Sequence, residues 1–240
     1  MSIGVQARGF SGRFSSINGD YTLPISRTAL VRAAVTVGRP GRRRRWPAPP
    51  WGYHPAPTSG YVHLLEIASV AFQVLAYVEP SYAELRMRQS FFGMNASEKQ
   101  GPAFRIGMAC AKLFAEHRLR VPVLEHADAL IESGALALAV GGKRGDLVGC
   151  DIRGDWHVME AKARSSGAAD IGTVRHAKEQ ARNIRLVDRA SQQQEPPATA
   201  SAAVTTLADT PITIHVRDPN GEEPTVYYMR PNEVRSSHST

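Results

Sequence analysis

Residues 61–78 are apolar nearly all the way round a helical wheel, with Glu66, Ser69 and Gln73 as one polar stripe, and so predict a largely buried helix. Pro80 suits the first turn of a second helix running to about Phe92. Residues 97–100 read as a capping box, but Pro102 would then fall inside the helix. Its regular part is therefore expected from about Gly101 to His117, with Phe104, Met108, Ala111 and Ala115 on one face. A short helix over 127–132, ended by Gly134, follows the apolar residues 121–124. The period then changes. Three strands are expected over 135–140, 146–152 and 156–163, joined by Gly-containing turns at 141–144 and 153–155. The second and third are apolar on both faces, as in strands covered by helices on each side. Residues 172–189 form an amphipathic helical pattern, with Val174, Ala177, Ala181, Ile184 and Val187 towards a core. After a loop over 190–200, strands are expected at 202–207 and 212–216, with an edge strand at 226–229.

Upstream, residues 1–59 show no sustained period, and Pro and Gly crowd the stretch from Arg42 to Trp51. They are expected to be a disordered extension. The domain proper is then 60–230, with a helical part at 60–93 and a core at 97–217, and 231–240 is a flexible tail.

Charge sharpens that division. The chain of 240 residues carries 29 Lys and Arg against 22 Asp and Glu, a net charge of +7. Nine of the cations, all arginine, and only one acid (Asp20) lie in residues 1–60. The rest is close to neutral, so the basic character belongs to the N-terminal segment. The four arginines at 42–45 suit a nucleic-acid contact, although a solvated tail would look the same. Cys110 and Cys150 lack the spacing of a zinc site and read as small buried hydrophobes. No apolar run resembles a secretory signal or a membrane span, which points to an intracellular, cytoplasmic protein without a membrane partner.

The candidate chemistry lies in residues 144–164, RGDLVGCDIRGDWHVMEAKAR. Side chains alternate across a strand, so Glu160 and Lys162 share a face and Ala161 opposes them. A hairpin centred on Gly154 sets Asp146 opposite residue 162, which brings all three groups to one end. Two neighbouring carboxylates repel each other unless a cation sits between them. Hard oxygen ligands suit Mg²⁺ or Mn²⁺, and a bound metal both activates water and neutralises charge on a phosphoryl transition state. A nearby lysine can steady the attacking water. An acid-x-Lys triplet arises by chance about 0.5 times in a chain of this composition. The competing reading is therefore a surface ion pair, and the triplet draws its force from the surrounding strands and helix.

In that order, with Gly145-Asp146 on the second strand and Glu160-Ala161-Lys162 on the third, the chain resembles the PD-(D/E)xK nuclease superfamily over roughly residues 101–216. The resemblance implies an α/β restriction-endonuclease-like core, with a mixed central sheet of four to five strands flanked by helices. Here extra helices and the disordered extension would precede it. It implies that Asp146, Glu160 and the main-chain carbonyl of Ala161 bind Mg²⁺, and that Lys162 assists the water. Gly145 stands where the family has proline. Glu98 is the candidate for the extra acid that many members carry on the first helix. Gln180 is the counterpart of a glutamine that reaches the site in several related nucleases.

Arg175, Lys178, Arg182, Arg185 and Arg189 recur at helical spacing and would form one cationic stripe bordering the apolar face, suited to phosphates along a groove. Cations near a helix C-terminus are also favoured without any ligand. The expected protein is a Mg²⁺-dependent phosphodiester hydrolase acting on DNA, with RNA as the alternative polymer and a homodimer allowed. The competing readings are an inactive nucleic-acid-binding module of the same fold, and an interaction component docking through the helices at 61–93.

Overall fold

The computed structural model describes residues 1–39, 60–79, 83–132, 136–138, 145–165, 171–187, 194–208 and 210–218. Strand β1 (Ser2–Arg8), a 3₁₀ turn (Gly12–Ile17), β2 (Gly19–Pro24) and α1 (Arg27–Thr36) open the chain. Next come α2 (Gly60–Tyr77), β3 (Val78–Glu79), β4 (Arg86–Met87), α3 (Gln89–Phe92), α4 (Ala96–Phe114) and a π-helical turn (Ala115–Leu119). Then follow β5 (Glu125–His126), α5 (Ala127–Glu132), β6 (Leu136–Leu138), β7 (Leu147–Cys150), β8 (Trp156–Arg164) and α6 (Ile171–Arg182). The last elements are β9 (Ile184–Val187), β10 (Gln194–Glu195), β11 (Thr199–Thr206) and β12 (Thr213–Arg217).

The architecture is α/β, built on a mixed seven-stranded sheet of order β2-β1-β12-β11-β8-β7-β5 flanked by helices. At its centre β11 runs parallel to β8 and antiparallel to β12. Every residue of β11 is buried, and its sequence TASAAVTT has little bulk, which lets helices cover both faces closely. The period-two alternation divides β8 between two cores. Met159 and Ala161 join α1, α2 and α4 in the larger core, and Val158 joins α5 and α6 in the smaller one.

Several expectations are corrected. The sheet has seven strands because residues 1–39 are ordered: Ile3, Val5 and Ala7 alternate into the core on β1, and Leu30 and Ala33 anchor α1. β1 pairs in parallel with β12, about as distant a partner as the chain offers, and no local pattern could announce it. The rest of the expected extension, including the arginines at 42–45, lies outside the described residues, as do the expected strand at 226–229 and the tail.

The strand expected first of three, β6, leaves the main sheet and pairs with β9 in a small sheet of order β10-β9-β6. The helix expected up to residue 92 is reduced to α3, with β4 ahead of it pairing with β3. α4 starts at Ala96 and carries Pro102 inside it. Asn95 and Glu98 fix that start reciprocally: the Glu98 N–H donates to Asn95 Oδ1 (2.9 Å) and the Asn95 N–H donates to Glu98 Oε2 (2.9 Å). α6 ends at Arg182, and Ile184 turns from a helical core position into a strand.

Candidate active site

β7 and β8 form an antiparallel hairpin in which Leu147 faces Met159 and Cys150 faces Trp156. The turn runs from Asp151 to Asp155, because Asp151 Oδ1 accepts hydrogen bonds from the N–H groups of Arg153 (2.8 Å) and Asp155 (3.0 Å). Gly154 occupies the turn with φ of +94°, a conformation glycine adopts without steric cost. The symmetry centre is therefore Arg153 rather than Gly154, and the register carried on by one residue sets Asp146 opposite Glu160 instead of Lys162. A shift of two residues preserves side-chain parity, so Asp146, Glu160 and Lys162 still share a face. It is the face covered by α6, since Val148 and Val158 have the same parity and pack with Ala181.

Asp146 is half-buried, and its Oδ2 accepts a hydrogen bond from the Ala161 N–H at 3.0 Å. In a strand the N–H and C=O of one residue point to the same edge, so the Ala161 carbonyl faces the Asp146 side as well. Glu160 is 0% exposed, and neither carboxylate oxygen meets a well-aligned hydrogen-bond donor among the described residues. The Lys162 ammonium makes an ion pair with Glu160 Oε1. Burial, followed by the Asp146 charge, pushes the Glu160 carboxyl up to about 7 against the opposing pull of Lys162. Gly145 is tightly enclosed: a Cβ there would lie 2.9 Å from Val158 Cγ1 and 3.3 Å from Ala181 Cα. The close approach of α6 to the hairpin thus depends on a residue with no side chain at this point.

A cleft of about 290 Å³ opens between the first turns of α4 and the end of β8. Asp146, Ala161 and Lys162 line one side, and Lys99, Gln100 and Phe104 line the other. Phe104 is 48% exposed there, which corrects its expected place on the core face of the helix. Sequence reasoning missed Lys99, Gln100 and Phe104 as site residues. Lys99 carried a faint signal as one of only five lysines in the chain.

Gln180 lies buried on α6, with no hydrogen-bond donor at its Oε1 among the described residues. Glu98 is not brought to the cleft: it is exposed, and its carboxylate is held by the Asn95 N–H. The cationic stripe is broken. Arg175, Lys178 and Arg182 stay on α6, whereas Arg185 sits on β9 and donates to the carbonyls of Arg182 (2.5 Å) and Ile184 (3.0 Å). Arg189 lies outside the described residues. Both cysteines are buried as expected, and burial pushes the Cys110 thiol up to about 12 and the Cys150 thiol up to about 11.

Among the described residues, no group of three or more His, Cys, Asp and Glu side chains is arranged to hold a metal ion; Asp146 is the one carboxylate in the cleft lining, and Glu160 lies buried beside it. No described helix is long and apolar enough to cross a membrane. The chain matches no protein-family model, no curated protein and no solved structure.

Proposed function

We propose that the chain is a metal-dependent nuclease of the PD-(D/E)xK type, with its reacting centre at Asp146, Glu160 and Lys162. The observation that carries this reading is Glu160, a fully buried carboxylate without an aligned donor, set beside a second carboxylate and next to an open cleft. Lys162 offsets only one of the two neighbouring carboxylates, and the remaining negative charge is costly unless a second cation completes the arrangement. The donor set is hard oxygen, which fits Mg²⁺ or Mn²⁺ and not a thiolate-preferring metal. Asp146, Glu160 and the Ala161 carbonyl would hold the ion. When bound, it would supply charge neutralisation at the phosphate and a more acidic water.

The chain's own residues have separate tasks in this mechanism. The Ala161 N–H orients Asp146, a residue of the cleft lining, by holding its Oδ2. Lys162 supports Glu160 electrostatically and presents its ammonium to the cleft, where it can hold a water or a phosphate oxygen. Gln180 is buried on the helix that covers this face and is not among the residues that line the cleft. The order α4, β7–β8, α6, β11 supports a restriction-endonuclease-like core, with β6 departing from that pattern by joining the second sheet.

The reading is tested by cleavage of plasmid and linear DNA with and without Mg²⁺. Glu160→Ala and Lys162→Ala are each expected to lower the rate by about 10²–10³-fold, as loss of a group that stabilises transition-state charge does. Equal rates in the wild type and both variants would end the assignment.

A further inference from the structure

We infer that the cleft takes a single, unstacked nucleotide of a DNA strand, with Phe104 as the platform for its base and Lys99 as the contact to its phosphate. This rests on the nuclease reading and specifies its substrate as single-stranded DNA.

Phe104 projects into the cleft at 48% exposure, on the wall opposite Asp146 and Lys162. Its neighbours Ala103 and Ile106 are buried, so the helix had apolar positions available inside and still leaves one ring outside. Large exposed aromatic surface at a charged cleft is what a flat apolar partner with an anionic edge requires. Lys99 lies five residues earlier on α4 and also lines the cleft, with its ammonium 6.0 Å from the centroid of the Phe91 ring. That contact places the cation without neutralising it. Lys162 is paired with Glu160, so Lys99 is the cation that the cleft offers to a phosphate on the wall facing Asp146.

A duplex keeps both faces of each internal base stacked, so only an unpaired nucleotide can offer a free face to Phe104. Base–aromatic stacking is tolerant of base identity, so little sequence preference is expected from this contact.

The test is fluorescence anisotropy of the full chain in EDTA, where nothing is cleaved. The probes are a labelled oligothymidylate of twelve nucleotides and a blunt hairpin duplex of equal charge. The wild type is expected to bind the oligothymidylate at least about tenfold more tightly than the duplex. Phe104→Ala is expected to weaken the single-strand complex by roughly tenfold to a hundredfold and to leave the duplex complex within about twofold. Phe104→Leu, which keeps apolar bulk and removes the ring, is expected to behave like Phe104→Ala and decides the matter if the alanine variant unfolds. Lys99→Ala is expected to lower the salt dependence of single-strand binding by about 0.7 in log–log slope. Equal single-strand binding by wild type and both Phe104 variants would overturn the inference, as would a duplex bound as tightly as the single strand. Because binding is read without divalent metal, an inactive but strand-binding protein would refute the nuclease reading alone.

Discussion

A carboxylate with no solvent exposure, such as Glu160, is held in its charged form only at a cost, and here the nearest acid adds to that cost. Glu160→Gln keeps the shape and removes the charge. In metal-free protein at pH 8 the variant is expected to melt above the wild type, by about 2–4 °C for each kcal/mol relieved in a chain of this length. Added Mg²⁺ should raise the wild-type melting temperature and leave the variant unchanged. Differential scanning calorimetry of both proteins in EDTA and in excess Mg²⁺ checks this, and a variant that melts lower in EDTA contradicts it. At this scale the sequence was legible where chemistry is unusual for its setting. An acid and a lysine two apart on an apolar strand could be found by reading alone. Phe104 could not, because an aromatic four residues ahead of Met108 has the spacing of a core face, and only the position of β8 decides that its ring lies outside.

The elements that carry the site are joined to the rest by a second cluster, between α1 and the end of α4. Lys112 is 2% exposed, with its ammonium donating to the Pro122 carbonyl (2.9 Å) and paired with Glu116 at 3.0 Å. Glu116 also accepts two hydrogen bonds from Arg32, at 3.0 and 2.7 Å. Burial raises the Glu116 carboxyl, but Arg32 and Lys112 outweigh it and hold the group below the ordinary carboxylate value of 4.5. A depressed folded-state value means that the stabilisation is present above the unfolded value and is lost as pH falls through the folded one. Glu116→Gln is therefore expected to reduce stability by about 2 kcal/mol at pH 7, where it leaves Lys112 without its counter-charge. The variant should also lose less stability than the wild type between pH 5 and pH 3, roughly the range spanned by a depressed carboxylate. Urea titrations at the three pH values measure both effects, and parallel acid limbs would refute the second. Among elements, β8 and the start of α6 were readable from period and turn residues. The end of α6 was not, because Ile184 and Val187 continue the helical spacing equally well. What overrides that spacing is the pairing of β9 with β6 and β10, each too short to be recognised alone.

Across the whole molecule, the largest difference between pattern and structure is the N-terminal segment. Its arginines and glycines gave it the composition of a tail, and its two strands and one helix are short enough to be hidden in that average. Their hydrophobic positions are nevertheless deep: Ile3, Val5, Leu23 and Leu30 are all buried in the larger core. At about 1.5–3 kcal/mol for each fully buried side chain of this kind, the four together match the roughly 5–15 kcal/mol net stability of an ordinary domain. The segment also closes the sheet. β1 covers the edge of β12, its neighbour β2 forms the outer strand, and Arg13 pairs with Asp155 in the turn of the β7–β8 hairpin. The same hairpin holds Asp146 and Glu160, so the N-terminal segment bears on the site at the far end of that turn. Deleting residues 1–38 would expose β12 as an unprotected edge beside β11 and leave α4 without its α1 contact. The truncated chain is expected to be insoluble, or to lose cooperative unfolding and near-ultraviolet circular dichroism, whereas deleting residues 231–240 should change the melting temperature by less than about 2 °C. A truncated protein that folds cooperatively near the wild-type temperature would return residues 1–38 to the status of an appendage. It would also imply that the main sheet is complete with β12 at its edge.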